Sequence, residues 1–454
     1  MRGRALPVLT QLGKSLDAVR LSLFLLTLVS ISAVHMYLGP LRYARPAVLF
    51  LGLLCLSAIL NHRAVAWSNL VKAWPSRLVA LFFVLACASA VFGLSFGGSA
   101  ASIVDAYAKV LIGFILMVAA IRNARDLALI IWSYVGACGI LIVLAMTVFE
   151  MQQTSTGLDR MGGGDSMYDG NDLGMLLLMS LPLALLLLFN SRRLGKTVAL
   201  AVIVGTPFVL AQTGSRGAMV GLAVMLPMLF FMLSRISLAT RVGGGAVLVA
   251  ALAFGAPSGY WQQMQTILDL SGDYNVASEY GRIEVAKRGV GYMLRYPIFG
   301  VGIGNFSRAE GTISPIATAR QNAGLSVEWI APHNTFVQVG AEMGVIALAV
   351  WMSLLFGGTF GLWRLRRRIP RSWEHQSADR RFLREACLFL PGSFVAFGVS
   401  SYFLSHAYTP PVYIFFALLA GLVVVVEREL AVDGRAAAAS APRRRPASAS
   451  PDVH

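Results

Sequence analysis

Four groups of polar residues interrupt the long apolar runs of this 454-residue chain. The first is Arg216, in the turn QTGSRG, flanked by Gly214 and Gly217. The second is 278–296, SEYGRIEVAKRGVGYMLRY, with Arg282, Lys287, Arg288 and Arg295. The third is PHNTFVQVGAEMG, 332–344, in which Asn334, Gln338 and Glu342 recur every fourth residue behind His333. The fourth is DSMYDGND, 165–172, with Asp165, Asp169, Asn171 and Asp172. Arginine captures phosphate oxygens through two parallel N–H donors. A histidine whose pKa is not raised accepts a proton near neutral pH. Arg216 with Arg282 or Arg288 would therefore hold a phosphorylated leaving group as its charge develops, and His333 would deprotonate an incoming hydroxyl. His406, in SHAYTPP, is a second candidate base.

Each group also has a plainer reading. Arg216 alone would be an interfacial anchor, and the basic stretch would be drawn to anionic headgroups. His333 and Asn334 would cap a helix, and Gly340 and Gly344 would serve helix packing. The aspartates could bind a divalent cation, but a turn with an N-cap from Asn171 or Asp172 accounts for them more simply. Asp105 and Lys109, spaced i, i+4, are expected to pair with each other.

The elements that must position these groups are membrane helices. The chain is 57% hydrophobic and only 13% charged, about half the charged fraction of a soluble domain. Apolar runs of roughly 17 to 25 residues recur, and these match helices crossing about 30 Å of hydrocarbon rather than short alternating barrel strands. They predict an all-α, polytopic membrane protein with about twelve transmembrane helices. The expected spans are 21–38, 47–60, 78–97, 104–121, 127–148, 172–190, 197–212, 217–234, 243–257, 334–363, 385–405 and 409–427. The net charge of +16 reflects Lys and Arg gathered in alternate loops, not nucleic-acid binding. With a cytoplasmic N-terminus, most basic residues fall on the cytoplasmic side, and both termini lie there. The large loop 258–332 then lies outside, together with Arg216, the basic stretch and His333. That stretch alternates Ile283, Ala286, Val290, Met293 and Leu294 with cations, as in an amphipathic helix lying at the membrane surface. Residues 1–433 read as one integral-membrane domain, and 434–454 as a disordered basic cytoplasmic tail. Cys55, Cys87, Cys138 and Cys387 all fall in spans and read as small apolar residues.

On these motifs the chain resembles the O-antigen ligase and polymerase superfamily of bacterial envelope glycosyltransferases. GNDLG at 170–174, TGSRG at 213–217, GRIEVAKRGVGYMLRYPIFGVGIGNF at 281–306 and PHNTFVQVGAEMGVIAL at 332–348 occur in the family's order. The resemblance implies a fold similar to C-type membrane glycosyltransferases. It implies transfer of a glycan from undecaprenyl diphosphate to an acceptor hydroxyl at the periplasmic face of the bacterial inner membrane. The transfer inverts the anomeric carbon and uses no metal, cofactor or nucleotide sugar. By the same resemblance His333 is the base, Arg216 together with Arg282 or Arg288 holds the diphosphate, and Asn334, Glu342, Asn171 and Asp172 support them. The acceptor would be lipid A–core for a ligase, a growing polysaccharide for a polymerase, or a protein hydroxyl for an O-oligosaccharyltransferase. A lipid-linked glycan transporter is the reading from another class. Its usual marks, midplane ionisable residues and internal repeats, are not evident here.

Overall fold

In the computed structural model the described residues are 17–153, 159–162, 168–234, 236–265, 267 and 278–440. Among them the chain is almost wholly helical, as the apolar runs predict. The principal helices are α1 (Ala18–Ser32), α2 (Pro46–Leu60), α3 (Trp74–Phe92), α4 (Phe96–Ala120), α5 (Ala124–Thr147), α6 (Gly170–Asn190), α7 (Arg193–Thr213), α8 (Arg216–Met232), α9 (Leu238–Gly255), α10 (Arg282–Arg295), α11 (Thr335–Arg368), α12 (Ala378–Ser400) and α13 (Pro410–Ser440). A two-stranded antiparallel hairpin, β1 (Glu150–Gln153) and β2 (Asp159–Gly162), precedes α6. The sequence did not announce it.

All twelve expected spans fall on helices, but not all of these are long enough to count as crossings. Among the described residues nine helices are long and apolar enough to cross a membrane, or ten if α2 and the segment His62–Lys72, bent 99° from it, form one span. The shortfall is one of length. α1 has 15 residues and α8 has 17, where a crossing takes about 20. The protein is a multi-pass membrane protein. α13 also runs to Ser440, past the domain boundary expected at 433; 441–454 lie outside the described residues.

The core gathers around α13, whose residues 412–426 are all buried. α13 packs on α4, α3 and α12, and α6 packs on α7 and α12. α9 touches α7 but stays largely exposed, as a lipid-facing helix does. Polar ties close both ends of the bundle. At one end the Arg20 Nε–Asp126 Oδ1 contact is 2.7 Å, and Arg384 Nε donates to Glu374 Oε1 at 2.7 Å. At the other, Tyr168 Oη donates to the carbonyl of Ile31 at 3.0 Å.

α11 is broken, and a glycine-rich loop fills the break. Gly344 has φ +84° inside the helix. The kink frees carbonyls that need partners in a membrane. The segment 296–305, YPIFGVGIGN, supplies them. Val301 N donates to Ala341 O at 2.8 Å, and Gly302 N to Glu342 O at 2.9 Å. Val345 N donates in return to Pro297 O at 2.8 Å. Gly300, at φ +65°, has no room for a Cβ, which would sit 2.3 Å from the backbone of Glu342. Gly344 thus serves a backbone break; the expected helix-packing role is corrected.

Candidate active site

His333 precedes α11 in a left-handed conformation, φ +44°, uncommon for a residue with a Cβ. Its neighbours hold it there. The Asn334 side chain caps α11, accepting from Phe336 N at 2.9 Å and Val337 N at 3.0 Å. Thr335 N donates to Ser401 O at 2.8 Å, and Thr335 Oγ1 to Leu404 O at 2.7 Å. Strain of this kind costs roughly 1–3 kcal/mol and persists where surrounding structure fixes it. Here it sets the ring on the wall of a cavity of about 930 Å³.

The same cavity is lined by Arg160, Asn171, Arg216, Arg282 and Lys287. Arg216 is the first residue of α8. The TGSRG turn places it there by joining two caps. Gly214, at φ +56°, ends α7, and Ser215 Oγ accepts from Ala218 N to start α8. Ser215 Oγ also donates to Asn171 Oδ1 at 2.7 Å, which ties the turn to the start of α6. Arg282 is likewise the first residue of α10. The N-terminal ends of α6, α8, α10 and α11 therefore meet at one cavity. Helix N-termini carry partial positive charge and favour anions, and two of these begin with arginine.

Arg160, on β2, escaped the sequence reading because its loop is net acidic. Its Nε donates to Thr213 O at 3.0 Å and its Nη2 to Asn171 Oδ1 at 3.3 Å. Burial first, then the charge of Arg216, hold its pKa below the ordinary value, with Asp169 opposing. An arginine in a loop expected on the outer side, against the usual charge bias, was the signal available.

Arg288 goes elsewhere. Its guanidinium grips Glu310, with Nη2–Oε2 at 2.6 Å, and Tyr292 Oη donates to Glu310 Oε1 at 2.7 Å. The Arg288 and Glu310 side chains are only 12% and 3% exposed. Arg288 is not among the residues lining the cavity, and its guanidinium is paired with a buried carboxylate. The expected amphipathic helix forms as α10. α10 packs Val285, Gly289 and Tyr292 on protein, and Gly289 lets α10 close on Val337 and Phe306. The expected apolar face, with Ile283, Ala286, Val290 and Met293, lines the cavity instead, beside Val220, Phe336 and Leu348.

The remaining candidates are structural braces. Glu342 is buried and accepts from Phe306 N at 3.3 Å and Tyr408 Oη at 2.9 Å, which pins the glycine-rich loop to α11. Gln338 accepts from Ala407 N at 3.3 Å. Asp169, where Asn171 or Asp172 was expected, is the N-cap of α6, accepting from Asn171 N at 2.7 Å and Asp172 N at 2.8 Å, and Asp172 Oδ2 closes the capping box by accepting from Asp169 N at 3.4 Å. Asp172 Oδ1 lies 2.7 Å from His406 Nε2, and His406 Nδ1 lies 2.9 Å from Thr409 Oγ1. His406 is thereby held away from the cavity wall. Asp165 lies outside the described residues. Among those described, no group of three or more His, Cys, Asp or Glu is placed to hold a metal ion.

Burial of His333 away from water lowers its pKa from the ordinary value, and the positive charge of Arg282 lowers it further; Asp169 and Asp172 act in the opposite sense. The lowered pKa favours the neutral ring, which can accept a proton. A neutral base, a group of cations and an apolar wall thus share one cavity.

Residues 199–352 match the family model described as O-antigen ligase. Over that stretch, about a third of its length, the chain is similar to the O-antigen ligase superfamily. The matched stretch runs from within α7 into α11 and so contains Arg216, Arg282, Arg288, His333, Asn334 and Glu342. Arg160, Asn171 and His406 lie outside it. The O-antigen ligase family supports a ligase- or polymerase-type glycosyltransferase role in polysaccharide biosynthesis, with glycan substrates in a membrane setting. A search of curated proteins finds no match to this chain.

Proposed function

We propose that this protein transfers a glycan from undecaprenyl diphosphate to an acceptor hydroxyl at the periplasmic face of the inner membrane, the acceptor being lipid A–core. One observation carries the reading: His333, Arg216 and Arg282, from three separate elements, face a single cavity with an apolar wall. The arginines, joined by Arg160 and Lys287, suit a diphosphate, which offers charge and oxygens for forked donors. The wall of Val220, Ile283, Val290 and Leu348 suits the first isoprene units of the carrier.

In this reading the acceptor oxygen attacks the anomeric carbon as its proton passes to His333. The bond from that carbon to the diphosphate oxygen breaks, and the electron pair leaves on the diphosphate. One displacement inverts the anomeric centre. Arg216, Arg282 and the helix N-termini stabilise the charge that develops on the leaving group, a task for which no metal is required. Neither a cofactor nor nucleic acid has a part in the step.

The glycolipid profile of a strain lacking this protein tests the assignment. Long unligated chains on the carrier lipid are expected. Single-repeat products would overturn the acceptor in favour of a growing polysaccharide, and normal glycolipid with unglycosylated protein would overturn it in favour of a protein hydroxyl.

A further inference from the structure

A second cavity, of about 320 Å³, opens between α1, α2, α4 and α13. It lies at the His333 end of the bundle. Its wall includes Thr409, whose hydroxyl meets His406, and Ser30, whose carbonyl accepts from Tyr168. Leu26, Leu51, Val110, Phe114, Met117 and Ile414 line its interior, so its depth is apolar. Asp105 and Lys109 also line it.

Those two residues belong to a widened turn. Ser102–Tyr107 of α4 is π-helical, a geometry that recurs at functional sites. The expected Asp105–Lys109 side-chain pair does not form. Lys109 Nζ donates to the backbone carbonyl of Asp105 instead. The Asp105 carboxylate makes no hydrogen bond or ion pair among the described residues. Both side chains are exposed. A cation and an anion, unjoined, thus stand over an apolar cavity in a membrane helix, where ionisable groups are costly.

We infer that this cavity binds one chain of a zwitterionic phospholipid, with the phosphate at Lys109 and the ammonium at Asp105. Charge complementarity selects this occupant. Lys109 would serve any phosphate headgroup, but the carboxylate one helical turn away repels a purely anionic head and attracts one that ends in an ammonium. Apolar lining with few polar groups is what a lipid chain requires. Gly113, on the cavity wall, has only Leu51 Cδ1 near its Cβ direction, at 4.0 Å, so a larger side chain there would grow into the space.

Native mass spectrometry of the full-length protein, titrated with phosphatidylethanolamine or phosphatidylglycerol of matched chains, tests this. The wild type is expected to retain phosphatidylethanolamine about fivefold better, the weight of one charge contact near a membrane surface. Asp105→Asn should erase that preference, and Lys109→Gln should weaken both lipids. Gly113→Leu should lower retention of both by about tenfold through displaced apolar contact. Asp105→Asn alters only an exposed group, so it keeps the test decisive if Gly113→Leu disturbs the bundle. Equal retention of the two lipids by the wild type, a preference for phosphatidylglycerol, or an Asp105→Asn variant with unchanged preference would overturn the proposal.

Discussion

The proton affinity of His333 follows from its surroundings. Burial and then Arg282 push its pKa below the ordinary 6.5. The base form is present above that lowered pKa and is lost as pH falls through it. The acid limb of the transfer rate should therefore lie below pH 6.5. Arg282→Ala removes the neighbouring cation, so the limb should move to higher pH, and the KM for donor should rise by about tenfold or more through loss of a charge-assisted contact. Arg282→Lys should keep the limb in place yet recover only part of the KM. Arg288→Ala should behave differently. It strands Glu310, buried and charged, and should cost about 3 kcal/mol of stability, read as a lower melting temperature that Glu310→Gln partly restores. A limb unmoved by Arg282→Ala would contradict the charge coupling. The sequence could not separate these two arginines. Both fit the motif, and what divides them is Glu310, 22 residues along the chain and brought in by the fold. Arg160 was illegible for a related reason: the net charge of a loop hides one arginine aimed inward.

Among the elements, the apolar runs were readable and the joints were not. Spans were legible because lipid demands about 20 apolar residues in succession. The TGSRG turn was legible as a place where an arginine is held, although its working as paired Gly and Ser caps needed the structure. The break in α11 was invisible, since Gly344 lies in an apolar run that reads as continuous helix. That break positions the site: loop 296–305 docks into it and carries the end of α10 with it. Gly300→Ala should therefore lower the melting temperature by more than the strain of positive φ alone, roughly 1–3 kcal/mol, and should reduce transfer as α10 shifts. Gly291→Ala, at an open position on α10, should be neutral or slightly stabilising. Equal effects from the two variants would mean that the docked loop does not hold the site.

For the molecule as a whole, orientation was legible only as a charge argument, since alternate loops carry most of the Lys and Arg. Thiol labelling tests it in a background without Cys55, Cys87, Cys138 and Cys387. Ser326→Cys, exposed in the large loop, should react with an impermeant maleimide in cells whose outer membrane alone is permeabilised. Arg371→Cys, exposed at the other end, should react only after the inner membrane is opened; the reverse pattern would invert the topology. The convergence of four helix N-termini on one cavity was not legible, because helix packing decides it and no local pattern reports it. That cavity holds the central claim, and transfer by purified protein from an undecaprenyl-diphosphate-linked glycan tests it most directly. His333→Ala should bind donor as the wild type does and transfer about 10²- to 10⁴-fold more slowly, the span of general base catalysis. Transfer at the wild-type rate by that variant would contradict the account.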